Sequence, residues 1–172
     1  AAEQMIAKVG EARKSCDSVG GIVEAVVHGC PPGLGEPIYD KLNARLAYAL
    51  MSIGAIRGVE FGAGFAAAEM SGSQHNDKFY LDGDRVRTRT NNAGGILGGI
   101  STGEDIVVRA AVKPASSIAQ KQQTVSKDGK AAIIEVKGRH DPCICPRVVP
   151  VVEAMIAIVL VDAVMLQKAL KL

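Results

Sequence analysis

An arginine and a carboxylate stand two residues apart in the stretch KGRHDPCICPR, residues 137–147. Pro142 disfavours helical geometry at Asp141, and on an extended backbone alternate side chains point the same way. Arg139 and Asp141 can therefore present an anion-binding cation beside a proton-accepting carboxylate. Read instead as a surface ion pair, the two would contribute little. A second candidate is KPASS, residues 113–117, where Lys113, Ser116, Ser117 and nearby amides can together hold a phosphate. The same five residues can equally be only a proline-stiffened turn. The third is NNAGGILGGISTGED, residues 91–105, which crowds Gly94, Gly95, Gly98, Gly99 and Gly103 into ten positions. Glycine density of this kind marks unusual backbone angles or close approach, either to a ligand or to another piece of chain.

Several chemistries are excluded by the same residues. Gly98 to Gly103 meets the spacing of a P-loop, but Glu104 and Asp105 follow where that loop needs Lys and Ser/Thr, and they would repel phosphates. The dinucleotide fingerprint leads from a strand into a helix, whereas this segment leads into a strand-like run. His28, His75 and His140 form no Ser/His/Asp or Cys/His grouping by spacing and read as ordinary surface or core histidines. Cys143 and Cys145 lack the second ligand pair of a zinc site. With Cys16 and Cys30, in a chain with ample core material, they read as reduced thiols of a cytoplasmic protein. Arg85, Arg87 and Arg89 alternate, which fits an anion-facing ladder or a charged edge strand that discourages aggregation.

The elements that must position these residues follow from periodicity. The chain has 172 residues, 48% of them hydrophobic, and its 20 basic and 18 acidic residues leave a net charge of +2 with no basic block. That composition fits one globular unit, residues 1–172, without an internal boundary, and gives no nucleic-acid footprint. Residues 3–15 read as a helix, 20–29 as a strand, and 30–37 as loop. Ile38, Leu42, Leu46, Ala49, Leu50 and Ile53 predict a helix with Pro37 near its first turn. A strand is expected at 55–62 and a hairpin at 77–90, turning at Asp82–Gly83–Asp84. Residues 104–114 should be a half-buried strand with Ile106, Val108, Ala110 and Val112 inward. Residues 116–130 form a polar excursion, 131–138 a strand, and 147–171 a long helix. Its core, VVPVVEAMIAIVLVDAVML, nearly has the length to span a bilayer. However, Pro150 interrupts it, and Glu153 and Asp162 fall on opposite sides of a helix. It therefore reads as a core helix covered on more than one side, not a membrane span. No secretory signal opens the chain, and a start without Met reads as a fragment or a processed product.

Taken in order, the motifs RKSCDSVGG, GLGEPIYDKLNARLAYALMSI, GVEFGAGF, NNAGGILGGISTGE, KPASSI and GRHDPCICPRVVPVVEAM resemble the chorismate synthase family. The resemblance covers essentially the whole chain and matches the C-terminal half or so of that family. It implies an α+β fold, a β-α-β sandwich with helices enclosed between antiparallel sheets, in a homotetramer of the complete enzyme. It also implies the anti 1,4-elimination of phosphate from 5-enolpyruvylshikimate 3-phosphate to give chorismate, in aromatic amino-acid biosynthesis. The cofactor implied is reduced FMN, with NADPH only as an indirect reductant. Neither a membrane nor a nucleic acid is implied as a partner.

The family's flavin contacts fall on Gly54, Ala55, Gly98, Lys113, Pro114, Ala115, Ser116, Ser117 and Arg139. Relatives commonly carry Asn where Gly54 stands, so a backbone contact survives there and an amide side-chain contact does not. Asp141 matches the carboxylate that takes the proton from the flavin's central ring nitrogen, and Lys113 would favour an anionic reduced ring by charge pairing. His140 stands where relatives can have Ser and is not assigned catalysis. The family's two catalytic histidines and most of its substrate-phosphate arginines lie upstream of Ala1. Residues 1–172 alone are thus expected to make no chorismate at a normal rate. Two other readings remain: a catalytically incomplete module that only binds flavin or oligomerises, and an unrelated flavin-binding protein.

Overall fold

Every second residue from Ile106 to Val112 is buried, and this strand organises the rest. The computed structural model describes residues 1–170. Its elements are α1 (Ala2–Lys14), β1 (Gly21–Val27), α2 (Leu42–Met51), β2 (Ile56–Phe61), a 3-10 segment (Gly64–Glu69), α3 (Gly72–His75), β3 (Phe79–Asp82), β4 (Arg85–Thr88), β5 (Ile96–Leu97), β6 (Ile100–Ser101), β7 (Ile106–Val112), β8 (Gln122–Val125), β9 (Ala131–Ile134) and α4 (Cys145–Leu170). The central sheet is antiparallel with order β1-β7-β2. Val23 and Val59 both pair with Ala110, and Ala25 and Phe61 both pair with Val108, so the period-2 pattern of three strands points at one core.

Helices α2 and α4 cover that face. Leu42, Leu46 and Leu50 recur at helical spacing and are completely buried, beside Val148, Val152, Ile156 and Val159 of α4. Each such leucine contributes roughly 1.5–3 kcal/mol by leaving water. Arg45 of α2 pairs with Asp162 of α4 at the margin of the contact. The fold is α+β, with mixed helices and antiparallel sheets.

Three expectations need correction. The second helix begins at Leu42, not after Pro37, because Tyr39 adopts a left-handed φ of 64° and the Leu42 amide donates to the Gly99 carbonyl at 2.8 Å. Ile38 is consequently 69% exposed and lies outside the apolar stripe. The polar excursion 116–130 contains β8, which pairs with β9 around a turn closed from the Ser126 amide to the Lys130 carbonyl at 2.8 Å. That hairpin rests on backbone bonds and buries no side-chain face, so no apolar alternation announced it. β9 ends at Ile134, short of 138.

The third correction concerns α4. Its buried residues, Val148, Val152, Ile156, Val159 and Ala163, form one stripe, while Val149, Val151, Ile158 and Val161 are exposed. The chain's own residues thus cover one side of the helix, although it is apolar nearly all round. Pro146 suits the first turn, where its missing N–H would be unpaired anyway. Pro150 removes the donor to the Pro146 carbonyl, at a point where only the first turn is affected. Lys171, the last residue of the expected helix, lies outside the described residues.

Candidate functional site

β7 ends at Val112, and the chain turns there because Pro114 has no N–H to continue a ladder. The Lys113 amide still donates to the Ala55 carbonyl at 2.9 Å. Ala55 sits at φ 75° in the turn before β2; that bend aims its carbonyl at the end of β7. Gly54 and Ala55, read as one candidate contact, are thereby joined to the Lys113–Ser117 turn. Ser116 and Ser117 are exposed, and the Lys113 ammonium donates to the Pro114 carbonyl at 3.1 Å.

The Asp141 loop approaches the same turn. Arg13, Asp17, Ser18, Ser117, His140 and Asp141 are among the residues lining a cleft of about 140 Å³. Asp141 does not take the partner that its spacing suggests: its Oδ2 pairs with Arg147 Nη1 at 2.9 Å. Because α4 starts at Cys145, the arginine of its first turn comes back over the loop. Arg139 is exposed and does not line the cleft. His140 donates from Nε2 to the Val136 carbonyl at 2.9 Å and so braces the loop. Sequence reasoning missed Ser18 and Arg147. Their only signal was position, inside two of the motifs that carried the family resemblance.

The glycine segment divides by cause. A Cβ on Gly94 would stand 2.4 Å from the Gly62 nitrogen, and one on Gly95 would stand 2.5 Å from the Asp105 carbonyl oxygen. Those glycines exist for chain crossings. Gly98, at the tip of the β5–β6 hairpin with φ 62°, has no heavy atom of the described residues within 4 Å of its would-be Cβ. It is therefore the member left open to a ligand. Yet the hairpin sits at the start of β7, where the Val107 amide donates to the Gly94 carbonyl at 3.3 Å. Lys113 is six residues on, roughly 20 Å along the strand. The chain gathers Gly54, Ala55, Lys113–Ser117 and Asp141 at one end of β7 and places Gly98 at the other.

The β3–β4 hairpin is fixed to this segment by the residue that rules out a P-loop. Glu104 is 9% exposed and receives Arg87 Nε at 2.8 Å and Nη2 at 2.9 Å, with the Thr88 amide at 2.9 Å. Arg89 lies over the Tyr80 ring, 5.0 Å from its centre, so Arg87 and Arg89 of the alternating set both have partners within the fold. The Arg87 hydrogen bonds hold the Glu104 carboxyl below the ordinary carboxylate range, against the opposing effect of burial. A depressed carboxylate stabilises the fold at neutral pH and loses that contribution as pH falls through its folded value. Glu104→Gln should therefore lower the urea midpoint at pH 7, and its gap from wild type should narrow in acid. A gap independent of pH would show that charge plays no part.

The residues present are an open lysine–serine turn, amides around it and a carboxylate beside Ser117, a donor set that would suit one wall around the flavin that the resemblance implies. The cleft is smaller than the roughly 300 Å³ at which ligand pockets begin, so this wall encloses only part of such a ligand.

Known proteins resemble the chain over nearly its whole length. A family model described as chorismate synthase matches residues 1–165. The chain is similar to a chorismate synthase of Methylacidiphilum infernorum, 54% identical over 169 residues, covering 98% of this chain and 46% of that protein. One from Archaeoglobus fulgidus is 61% identical over 152 residues, covering 88% of this chain and 42% of its own length. A crystal structure of a chorismate synthase superposes with a TM-score of 0.78 at 35% identity, over 96% of this chain and 43% of that one. The chain spans a little under half the length of the curated relatives it matches.

Proposed function

Because the chain belongs to the chorismate synthase family, we propose that residues 1–172, acting as one continuous piece, form the flavin-facing half of a chorismate synthase. The complete enzyme eliminates phosphate from 5-enolpyruvylshikimate 3-phosphate to give chorismate. It works in the cytoplasm as a homotetramer, with NADPH only as the remote source of electrons. The observation that carries this reading is the meeting of the Gly54–Ala55 turn, the Lys113–Ser117 turn and Asp141 at one end of β7, closed by the Lys113 amide on the Ala55 carbonyl at 2.9 Å.

Lys113, Pro114, Ala115, Ser116, Ser117, Gly54 and Ala55 would hold reduced FMN, with Arg139 at the rim and Gly98 reached across the assembled enzyme. Bound there, the reduced flavin supplies the electron density that eases departure of the allylic phosphate. Lys113 offers a cation to an anionic ring, and the serine hydroxyls donate to its polar edge. Asp141 holds Oδ2 against Arg147 and leaves Oδ1 to take up a proton. Residues of the kind that the longer relatives carry outside the matched stretch would supply the remaining walls and the two histidines. Residues 1–172 alone are accordingly inactive in turnover.

An FMN titration of residues 1–172, followed by flavin fluorescence, tests this placement. The expected result is saturable quenching, weakened about tenfold by Arg139→Ala through loss of a charged hydrogen bond. If residues 1–172 do not bind, the titration is repeated on a completed polypeptide, in which they follow the upstream half of the Methylacidiphilum infernorum relative. Flavin binding there that is indifferent to Arg139, Lys113 and Ser117 would contradict the placement.

A further inference from the structure

The loop that leaves α1 touches both the Lys113–Ser117 turn and the loop that carries Asp141, and we infer that Ser18 within it is a positioning residue. Through its hydrogen bond to the Ala115 carbonyl, Ser18 fixes the Lys113–Ser117 turn against the loop that carries Asp141. This rests on the reading of the site proposed above.

The exit from α1 is unusual in a way that serves this contact. The Asp17 amide donates to the Ala12 carbonyl at 2.9 Å and the Cys16 amide to the Arg13 carbonyl at 3.3 Å, the bond pair that ends a helix in a left-handed residue. Glycine normally stands there. Here Cys16 takes φ 55°, a conformation that disfavours any Cβ-bearing residue. The chain is thereby turned across the end of the sheet. The Ser18 amide is held by Asp17 Oδ1 at 2.7 Å, and the Ser18 hydroxyl donates to the Ala115 carbonyl at 2.6 Å, across 97 residues of sequence. The next amide, Val19, donates to the Pro142 carbonyl at 2.8 Å. Behind them Gln120 Nε2 donates to the Ser15 carbonyl at 2.8 Å. Gly20 lies so close to the end of β7 that a Cβ would stand 2.3 Å from the Val112 carbonyl oxygen.

Consecutive residues 18 and 19 thus bridge two loops that have no regular secondary structure of their own. In a trans peptide the carbonyl and the following N–H point in opposite directions. With the Ala115 oxygen held toward Ser18, the Ser116 N–H is turned away from the α1 loop, where an acceptor on the ligand can meet it. Val19 fixes the Pro142 carbonyl, one residue from Asp141, by the same means. Removal of the Ser18 hydroxyl leaves the Ala115 peptide free to rotate while Asp141 stays tethered, so the two sides of the site lose their common register.

The test uses the completed polypeptide, with Ser18→Ala, Ser18→Thr, and Ser117→Ala and Arg139→Ala as controls. Ser18→Ala should weaken reduced-FMN binding about 5- to 10-fold, the effect of one hydrogen bond, and lower kcat. KM for the shikimate phosphate should be nearly unchanged. Ser18→Thr, which keeps the hydroxyl, should restore both. Flavin affinity in Ser18→Ala equal to wild type, while the two controls weaken it, overturns the inference and leaves the site reading intact. A Ser18→Thr variant as weak as Ser18→Ala, with both losing thermal stability equally, assigns Ser18 to the fold alone. Controls that leave flavin affinity unchanged overturn the site reading and the inference with it.

Discussion

Asp141→Asn in the completed polypeptide should reduce kcat by about 10²- to 10⁴-fold, the usual contribution of a positioned proton acceptor, while flavin affinity stays close to wild type. The substitution preserves shape and an oxygen for Arg147, which approaches Oδ2 at 2.9 Å, so the loop should keep its place. What it removes is the capacity to hold a proton. Phosphate release under anaerobic conditions, measured beside a flavin titration, separates the two effects. Near-normal turnover in Asp141→Asn would remove Asp141 from the chemistry, and loss of flavin binding would make its role structural.

The second large effect is on folding. Gly94→Ala should destabilise the chain by about 2–5 kcal/mol, from left-handed strain and forced overpacking together. Its would-be Cβ stands 2.4 Å from the Gly62 nitrogen and 2.8 Å from the Gly62 Cα, both backbone atoms. Gly62 cannot retreat, because its amide donates to the Val107 carbonyl at 3.0 Å and the Ala63 amide donates to the Asn92 carbonyl at 2.8 Å. A loss of that size is a large fraction of a domain's whole stability. Gly98→Ala, four residues on, meets nothing within 4 Å and carries only the strain of φ 62°, roughly 1–2 kcal/mol. Urea melts of the two variants should separate clearly. Equal losses would mean that the segment yields as a unit and that Gly98 is not the open member.

The core was legible because burial imposes a period. Ile106, Val108, Ala110 and Val112 alternate, and Leu42, Leu46 and Leu50 recur at helical spacing, whatever surrounds them. The start of α2 was not legible, since nothing local marks Tyr39 as left-handed; the Leu42 amide bonded to Gly99 fixes that boundary from a distant segment. β8 was hidden for the opposite reason, as a hairpin without a buried face leaves no apolar pattern. For α4 the composition predicts cover on more than one side, but the structure covers a single stripe, because apolar residues all round a helix do not say which of them the same chain will meet. The candidate site shows the same division. KPASS and the Asp141 loop announced themselves by residue type. Ser18 and Arg147 act through a backbone carbonyl and an ion pair, and a serine or an arginine in a loop carries no pattern that specifies its partner. By residue type Gly98 is one of five crowded glycines and only the family resemblance sets it apart, while the space around each one distinguishes an open position from a chain crossing.

As the proposed flavin-facing half of a chorismate synthase, residues 1–172 should need the upstream half for turnover. Chorismate formation from 5-enolpyruvylshikimate 3-phosphate with chemically reduced FMN, followed anaerobically, tests it most directly when run on residues 1–172 and on the completed polypeptide side by side. The expected result is steady turnover by the completed polypeptide, none when FMN is left oxidised, and none by residues 1–172 with either form. Turnover by residues 1–172 alone would contradict the account, as would a folded, flavin-loaded completed polypeptide that released no phosphate.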